Sequence, residues 1–104
     1  MTITHVTALI SPAPGKESRV RELIEAVIQG TNKNEPNCNT YFLTKTVDSN
    51  DFIIIETYKS MADFEFHKSQ DYFQDFAKAI EAESLVSKPV SIIPSEKISG
   101  FEAR

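Results

Sequence analysis

Residues 3–10 (ITHVTALI) alternate in the manner of an extended chain, with Val6, Ala8 and Ile10 on one side and His5, Thr7 and Leu9 on the other. With its β-branched content, this predicts a strand. Ser11-Pro12-Ala13-Pro14-Gly15 ends it, because the prolines lack an N–H for the sheet and glycine admits unusual backbone angles. From Lys16 the period changes. Val20, Leu23, Ile24, Val27 and Ile28 fall on one helical face, while Glu17, Arg21, Glu22 and Glu25 fall elsewhere. Gly30 and the polar run Thr31-Asn32-Lys33-Asn34 weaken this helix, and Pro36 stops it by disfavouring helical angles in the residue before it.

Alternation returns over residues 39–47 (NTYFLTKTV) and again over 52–58 (FIIIETY). Asp48-Ser49-Asn50-Asp51 joins the two runs, which predicts a hairpin. Ser60 with Asp63 three positions later is a capping-box pattern that opens a second helix. Its inward candidates are Phe64, His67, Tyr72, Phe73, Phe76, Ala77 and Ile80, with a break expected at Lys68-Ser69-Gln70-Asp71 and Ser69 as a second N-cap. Residues 89–93 form a short strand whose flanking prolines suit a sheet edge, and Ile98 and Phe101 lie in a tail that could reach a partner.

Strand, helix, strand, strand, helix, strand predicts an α+β domain: a ferredoxin-like βαββαβ arrangement, a four-stranded antiparallel sheet with two helices on one face. One domain is expected over 1–104, its core in 3–95 and its tail in 96–104. Tyr41, Leu43 and Val47 oppose Phe42, and Phe52 and Ile54 oppose Ile53 and Ile55, so both sheet faces carry large apolar groups. Two helices cover one face only. The other predicts a homodimer through the sheet face.

The chain has 104 residues, with 11 Lys and Arg against 15 Asp and Glu, a formal charge of −4. No basic cluster serves a nucleic acid or an anionic membrane, and neither partner is expected. One cysteine, Cys38, excludes an intramolecular disulfide, and the two histidines lie too far apart in sequence for structural zinc spacing. No apolar run approaches the length of a bilayer span, and the first ten residues lack the features of a secretion signal, so a cytoplasmic location is expected. Three glycines in no phosphate-cradling pattern argue against a nucleotide fingerprint.

Gly15 after the first strand, Glu35-Pro36-Asn37-Cys38 leading to Tyr41, Phe52 to Tyr58 with Glu56 inside, Ser60, His67-Lys68-Ser69 and Tyr72-Phe73 together resemble the antibiotic biosynthesis monooxygenase (ABM) family over residues 3–95. The resemblance implies a dimeric α/β barrel in which each protomer holds a small-molecule cleft between helices and sheet. It further implies a cofactor-independent oxygenase of phenols, anthrones or quinols, needing neither metal nor flavin. Haem-degrading relatives use a set of Asn, Trp and His; this chain has no Trp, and Thr7 and Ala77 stand near the positions of the Asn and the His. The resemblance therefore does not extend to haem.

His67 is the first catalytic candidate, one turn after Phe64 on the inward helix face, with a charge that changes near neutral pH. It reads equally as a core histidine pinning the helix to the sheet. Glu56 is the second, a carboxylate at the inward parity of an apolar strand, costly to bury unless paired or functional. Paired with His67, it would orient the imidazole and raise its basicity so that the ring takes a proton from an electron-rich substrate. Phe64, Phe73, Phe76 and Tyr72 would wall a flat substrate, although Phe73, Phe76 and Ile80 also read as plain core. Tyr41 and Tyr58 could hydrogen-bond substrate oxygens, and His5 could line the cleft. Cys38 has no neighbouring base and reads as incidental. Two other functions suit the same residues: an isomerase or proton-transfer enzyme on a small polar metabolite, and a non-enzymatic small-molecule-binding or stress-response protein.

Overall fold

The structure, a computed structural model, describes residues 2–104. β1 (Thr4–Ile10), α1 (Glu17–Asn34), β2 (Cys38–Lys45), β3 (Phe52–Tyr58), α2 (Met61–Lys68), α3 (Asp71–Ala82) and β4 (Ser91–Ser95) follow in that order. The sheet order is β2-β3-β1-β4, all antiparallel, which is the expected ferredoxin-like α+β fold with three helices in place of two.

The strand alternation behaves as its parity requires. Val6, Ala8 and Ile10 of β1 and Phe52, Ile54, Glu56 and Tyr58 of β3 are buried beneath the helices. Tyr41 and Leu43 pair with Glu56 and Ile54 and share that face. Helix α1 sets Val20, Ile24 and Val27 on these strands, and Ile80 of α3 and Leu85 beyond it close the apolar core. Gly15 takes a positive φ of 80° ahead of α1, as its place in the turn suggests.

Several boundaries differ from expectation. Helix α1 does not weaken at Gly30 but runs on to Asn34, with Glu35 as its C-cap. Gly30 is there for space: a Cβ at that position would lie 2.5 Å from the Tyr72 ring, so the missing side chain lets α3 approach α1. Ser69 is not a second N-cap. It closes α2, its hydroxyl donating to the Phe66 carbonyl (2.6 Å), and Gln70 precedes α3 without a side-chain cap. β4 is shifted two residues along, with Ile92 opposite Ala8 and Pro94 inside the strand, which an edge position tolerates. The capping box is as expected: Ser60 accepts from the Asp63 N–H and donates to its carboxylate (2.7 Å).

The outer sheet face carries Leu9, Ile53 and Ile55 half-buried and Phe42 and Ile93 exposed. Val47 does not belong to either face, because β2 ends at Lys45 and Val47 stands fully exposed in the hairpin loop. No helix is long and apolar enough to cross a membrane among the described residues.

Candidate active site

One end of the helix–sheet layer is polar. Glu56 and Tyr58 are the last inward residues of β3, and Tyr41 lies beside Glu56 on β2. Helix α2, fixed by its Ser60 cap, lays Phe64 and His67 over them, one turn apart. The end of α1 brings Thr31 and Glu35, and the start of α3 brings Tyr72 and Phe73.

His67 sits at the centre, 1% exposed. Its Nδ1 meets both oxygens of Glu35, at 3.0 and 2.9 Å, and lies 3.5 Å from the Thr31 hydroxyl. The opposite nitrogen, Nε2, is 4.0 Å from Glu56 Oε1, too far for a hydrogen bond. The expected partner of His67 was Glu56, and the partner found is Glu35. Rings enclose the imidazole: Phe73 edge-on at 5.2 Å, Tyr41 and Tyr58 at 5.5 Å, and Phe64 and Tyr72 at 6.4 Å between centroids.

Tyr58 is fully buried, and its hydroxyl donates to Glu56 Oε1 (2.5 Å). It therefore meets the carboxylate where a substrate oxygen was expected. Tyr72 donates to Glu35 Oε2 and is likewise engaged within the protein. His5 does not join these residues. It lies on the outer parity of β1, opposite Thr57 and Ser95, with the sheet between it and His67.

Burial sets the electrostatics. It pushes Glu56 up to about 7, helped by the negative charge of Glu35 and opposed by the Tyr58 hydrogen bond. It holds His67 below the ordinary histidine range, against the pull of Glu35 toward the charged form. Tyr41 and Tyr58 are pushed well above the usual phenol range by burial and by Glu56, so both remain donors. Cys38, half-buried with its Sγ donating to the Thr40 carbonyl (3.4 Å), is pushed up to about 11 by burial and the two carboxylates, which suits an inert thiol.

An apolar cavity of about 20 Å³ lies between α1, α3 and the sheet, with Glu56 and Tyr41 at its polar end and Phe64, Phe73 and Phe76 among its walls. His67 does not line it. The group that faces a cavity occupant is Glu56, and the imidazole stands behind. The volume admits a water molecule and falls far short of the roughly 150 Å³ that accommodates a benzene ring. Helix α3 packs on α1, and its Phe73 and Phe76 wall the cavity.

Glu35 was not anticipated as a site residue. A signal for it exists: Val20, Ile24, Val27, Thr31 and Glu35 continue one stripe at helical spacing, provided the helix survives Gly30.

The comparisons with known proteins agree with this architecture. The antibiotic biosynthesis monooxygenase family profile matches residues 3–79. The chain is similar to the "Putative monooxygenase YcnE" of Bacillus subtilis (strain 168), 25% identical over 89 residues that cover 86% of this chain and 92% of that protein. Rv0793 from Mycobacterium tuberculosis shares the fold, with a TM-score of 0.86 at 22% identity over 97% of this chain and all of that one. PA3566 from Pseudomonas aeruginosa superposes with a TM-score of 0.83 at 26% identity, over 95% of this chain and 97% of that one. With a matching profile over most of its length and the same fold in these structures, this chain belongs to the antibiotic biosynthesis monooxygenase family.

Proposed function

We propose that the protein is a monooxygenase that works without metal or flavin on a small aromatic, anthrone or quinol-like metabolite, with Glu56 as its base. The observation that carries this reading is a buried carboxylate of near-neutral proton affinity at the end of an apolar, aromatic-walled cavity. At neutral pH such a group exists in both forms, as a base must if it takes a proton and later gives it back. Glu56 removes a proton from the substrate carbon, and the electron pair of the C–H bond stays on the ring system. The anion passes one electron to O₂, the radical pair combines into a C–O bond, and the peroxide takes up the proton from Glu56. Loss of the second hydrogen with the outer oxygen as water leaves a carbonyl, so a CH₂ group and O₂ become C=O and H₂O. Tyr41, held protonated, donates to the substrate oxygen on which negative charge accumulates. His67 supports the base from behind.

Oxygen uptake with a panel of anthrones, naphthols and quinols tests this directly. The parent should consume oxygen above the buffer rate with at least one of them, and Glu56→Gln should lower kcat by at least about a hundredfold. A variant as active as the parent, or a panel on which the parent does nothing, ends the proposal.

We also propose that two copies associate through their outer sheet faces. Phe42 at 48% and Ile93 at 55% exposure share a face with Leu9, Ile53 and Ile55, interrupted only by Thr7 between Ile55 and Ile93, an apolar surface of the kind that soluble monomers rarely leave bare. Light scattering should give twice the 11.7 kDa chain mass at micromolar concentration; a mass of 11.7 kDa would contradict the association.

A further inference from the structure

The reading above gives Glu56 and Tyr41 tasks and leaves Glu35 without one. Yet Glu35 is buried, joined to both His67 and Tyr72, and has no lysine or arginine as a partner among the described residues. Burying two carboxylates on either side of one imidazole is costly unless protons can be distributed among the three. The ring is placed for that: Nδ1 on Glu35 and Nε2 toward Glu56.

We propose that Glu35 is a positioning residue that turns His67 into a store for the proton Glu56 takes from the substrate. By accepting the Nδ1–H, Glu35 fixes the tautomer and leaves the Nε2 lone pair facing Glu56. When Glu56 is protonated, its O–H bond breaks with the electron pair staying on the carboxylate, and an Nε2–H bond forms. The proton then passes briefly to an imidazolium paired with Glu35, away from the substrate anion; because burial leaves His67 a weaker holder of the proton than Glu56, this form is the minor one and gives its proton back readily. The reverse transfer returns it through Glu56 to the peroxide, so no proton is gained or lost in the cycle. The 4.0 Å gap must close by roughly one ångström first, as catalytic contacts commonly do when a ligand binds.

Without the charge of Glu35, a buried imidazolium has little to stabilise it. The other titratable groups facing His67 are Glu56 and Tyr58 from β3, Tyr41 from β2 and Tyr72 from α3, with the Cys38 thiol of β2 beyond them near the two carboxylates, none of them a cation. Lys68, the nearest lysine on α2, has its Nζ 4.9 Å from the centre of the Phe64 ring and pairs with Glu65. Glu35 also borders a surface groove of about 510 Å³ with Thr31, Cys38 and Tyr41.

The inference rests on Glu56 as the base, but its first test needs no substrate. Long-range ¹H–¹⁵N spectra of the full-length labelled protein report the tautomer and titration of His67, with His5→Gln to assign the two histidines. The parent should show the Nδ1–H tautomer at neutral pH. Glu35→Gln should lower the proton affinity of His67 by roughly tenfold or more, and Glu35→Asp should restore most of it. Tyr72→Phe, which removes a donor from Glu35 and keeps its charge, should raise that affinity. An Nε2–H parent overturns the proposal whether or not Glu35→Gln folds, and so does a His67 titration that ignores Glu35→Gln or falls in Tyr72→Phe. With an active substrate, Glu35→Gln should lower kcat about tenfold at unchanged KM, and an unchanged kcat overturns the store even if the spectra agree. If no panel compound consumes oxygen while the spectra behave as expected, the oxygenase reading fails and the Glu35–His67 pairing stands.

Discussion

The two ends of the helix–sheet layer are built from the same strands and do opposite things. At one end Ala8, Ile10, Val20, Ile24, Phe52, Ile54, Ile80 and Leu85 pack with no polar side chain among them. At the other, Val6, Tyr58 and Phe64 pack together beside His67, with Glu35 on its Nδ1 and Glu56 4.0 Å from its Nε2. Along β3 the change takes one step of the pleat, from Ile54 to Glu56. The contrast teaches where the protons are kept: the apolar end is held by burial and walls the cavity through Ala8, Ile10, Ile24 and Ile54, and the polar end holds only while its protons are correctly shared.

The largest expected effect lies at the apolar end. Ile24→Ala removes a fully buried side chain and should cost about 2–5 kcal/mol in urea unfolding. The His67 spectrum should be unchanged in the folded variant; if it moves, the two ends are one mechanical unit and the contrast fails. Next in size is a pH effect at the polar end. A carboxyl whose proton affinity is raised by folding contributes stability below its unfolded value of 4.5 and loses it as pH rises through about 7. Glu56→Gln has no such loss, so its stability should gain on the parent between those values, by about 3 kcal/mol at most. His67, whose affinity is lowered by folding, acts oppositely and weakens both proteins as pH falls below 6.5. A difference between parent and Glu56→Gln that is flat with pH would mean that this end is no more conditional than the other. Smallest is Gly30→Ala. Its methyl group meets the Tyr72 ring and should cost roughly 1–2 kcal/mol after alanine's better helix propensity is set against the clash.

The apolar end was legible in the sequence because it rests on periodicity. The alternation of β1 and β3 and the stripe of α1 name most of its members, and the parity that buries Ile54 also turns Glu56 inward. The polar end was legible only in pieces. His67 and Glu56 stand out as polar residues at apolar positions. Glu35 does not, because it follows Asn32-Lys33-Asn34 and precedes a proline, where a solvated turn is the natural reading. Its burial is decided by partners 32 and 37 residues away, and by a glycine that serves a neighbouring ring rather than the helix that contains it. The outward placement of His5 was open to a parity argument, since Val6, Ala8 and Ile10 already claim the helix side. The register of β4 was not, because residues 89–94 contain no alternation from which to fix it.

The narrowness of the cavity has a consequence for how tightly any ligand can be held. A site that is closed in its dominant form binds only through the fraction of molecules in which Phe73 and Phe76 have withdrawn. If that fraction is about one in a hundred, the observed affinity is about a hundredfold weaker than the contacts alone provide. Substitutions that trim those two rings would then tighten binding while removing contacts, because they raise the population that can receive a guest.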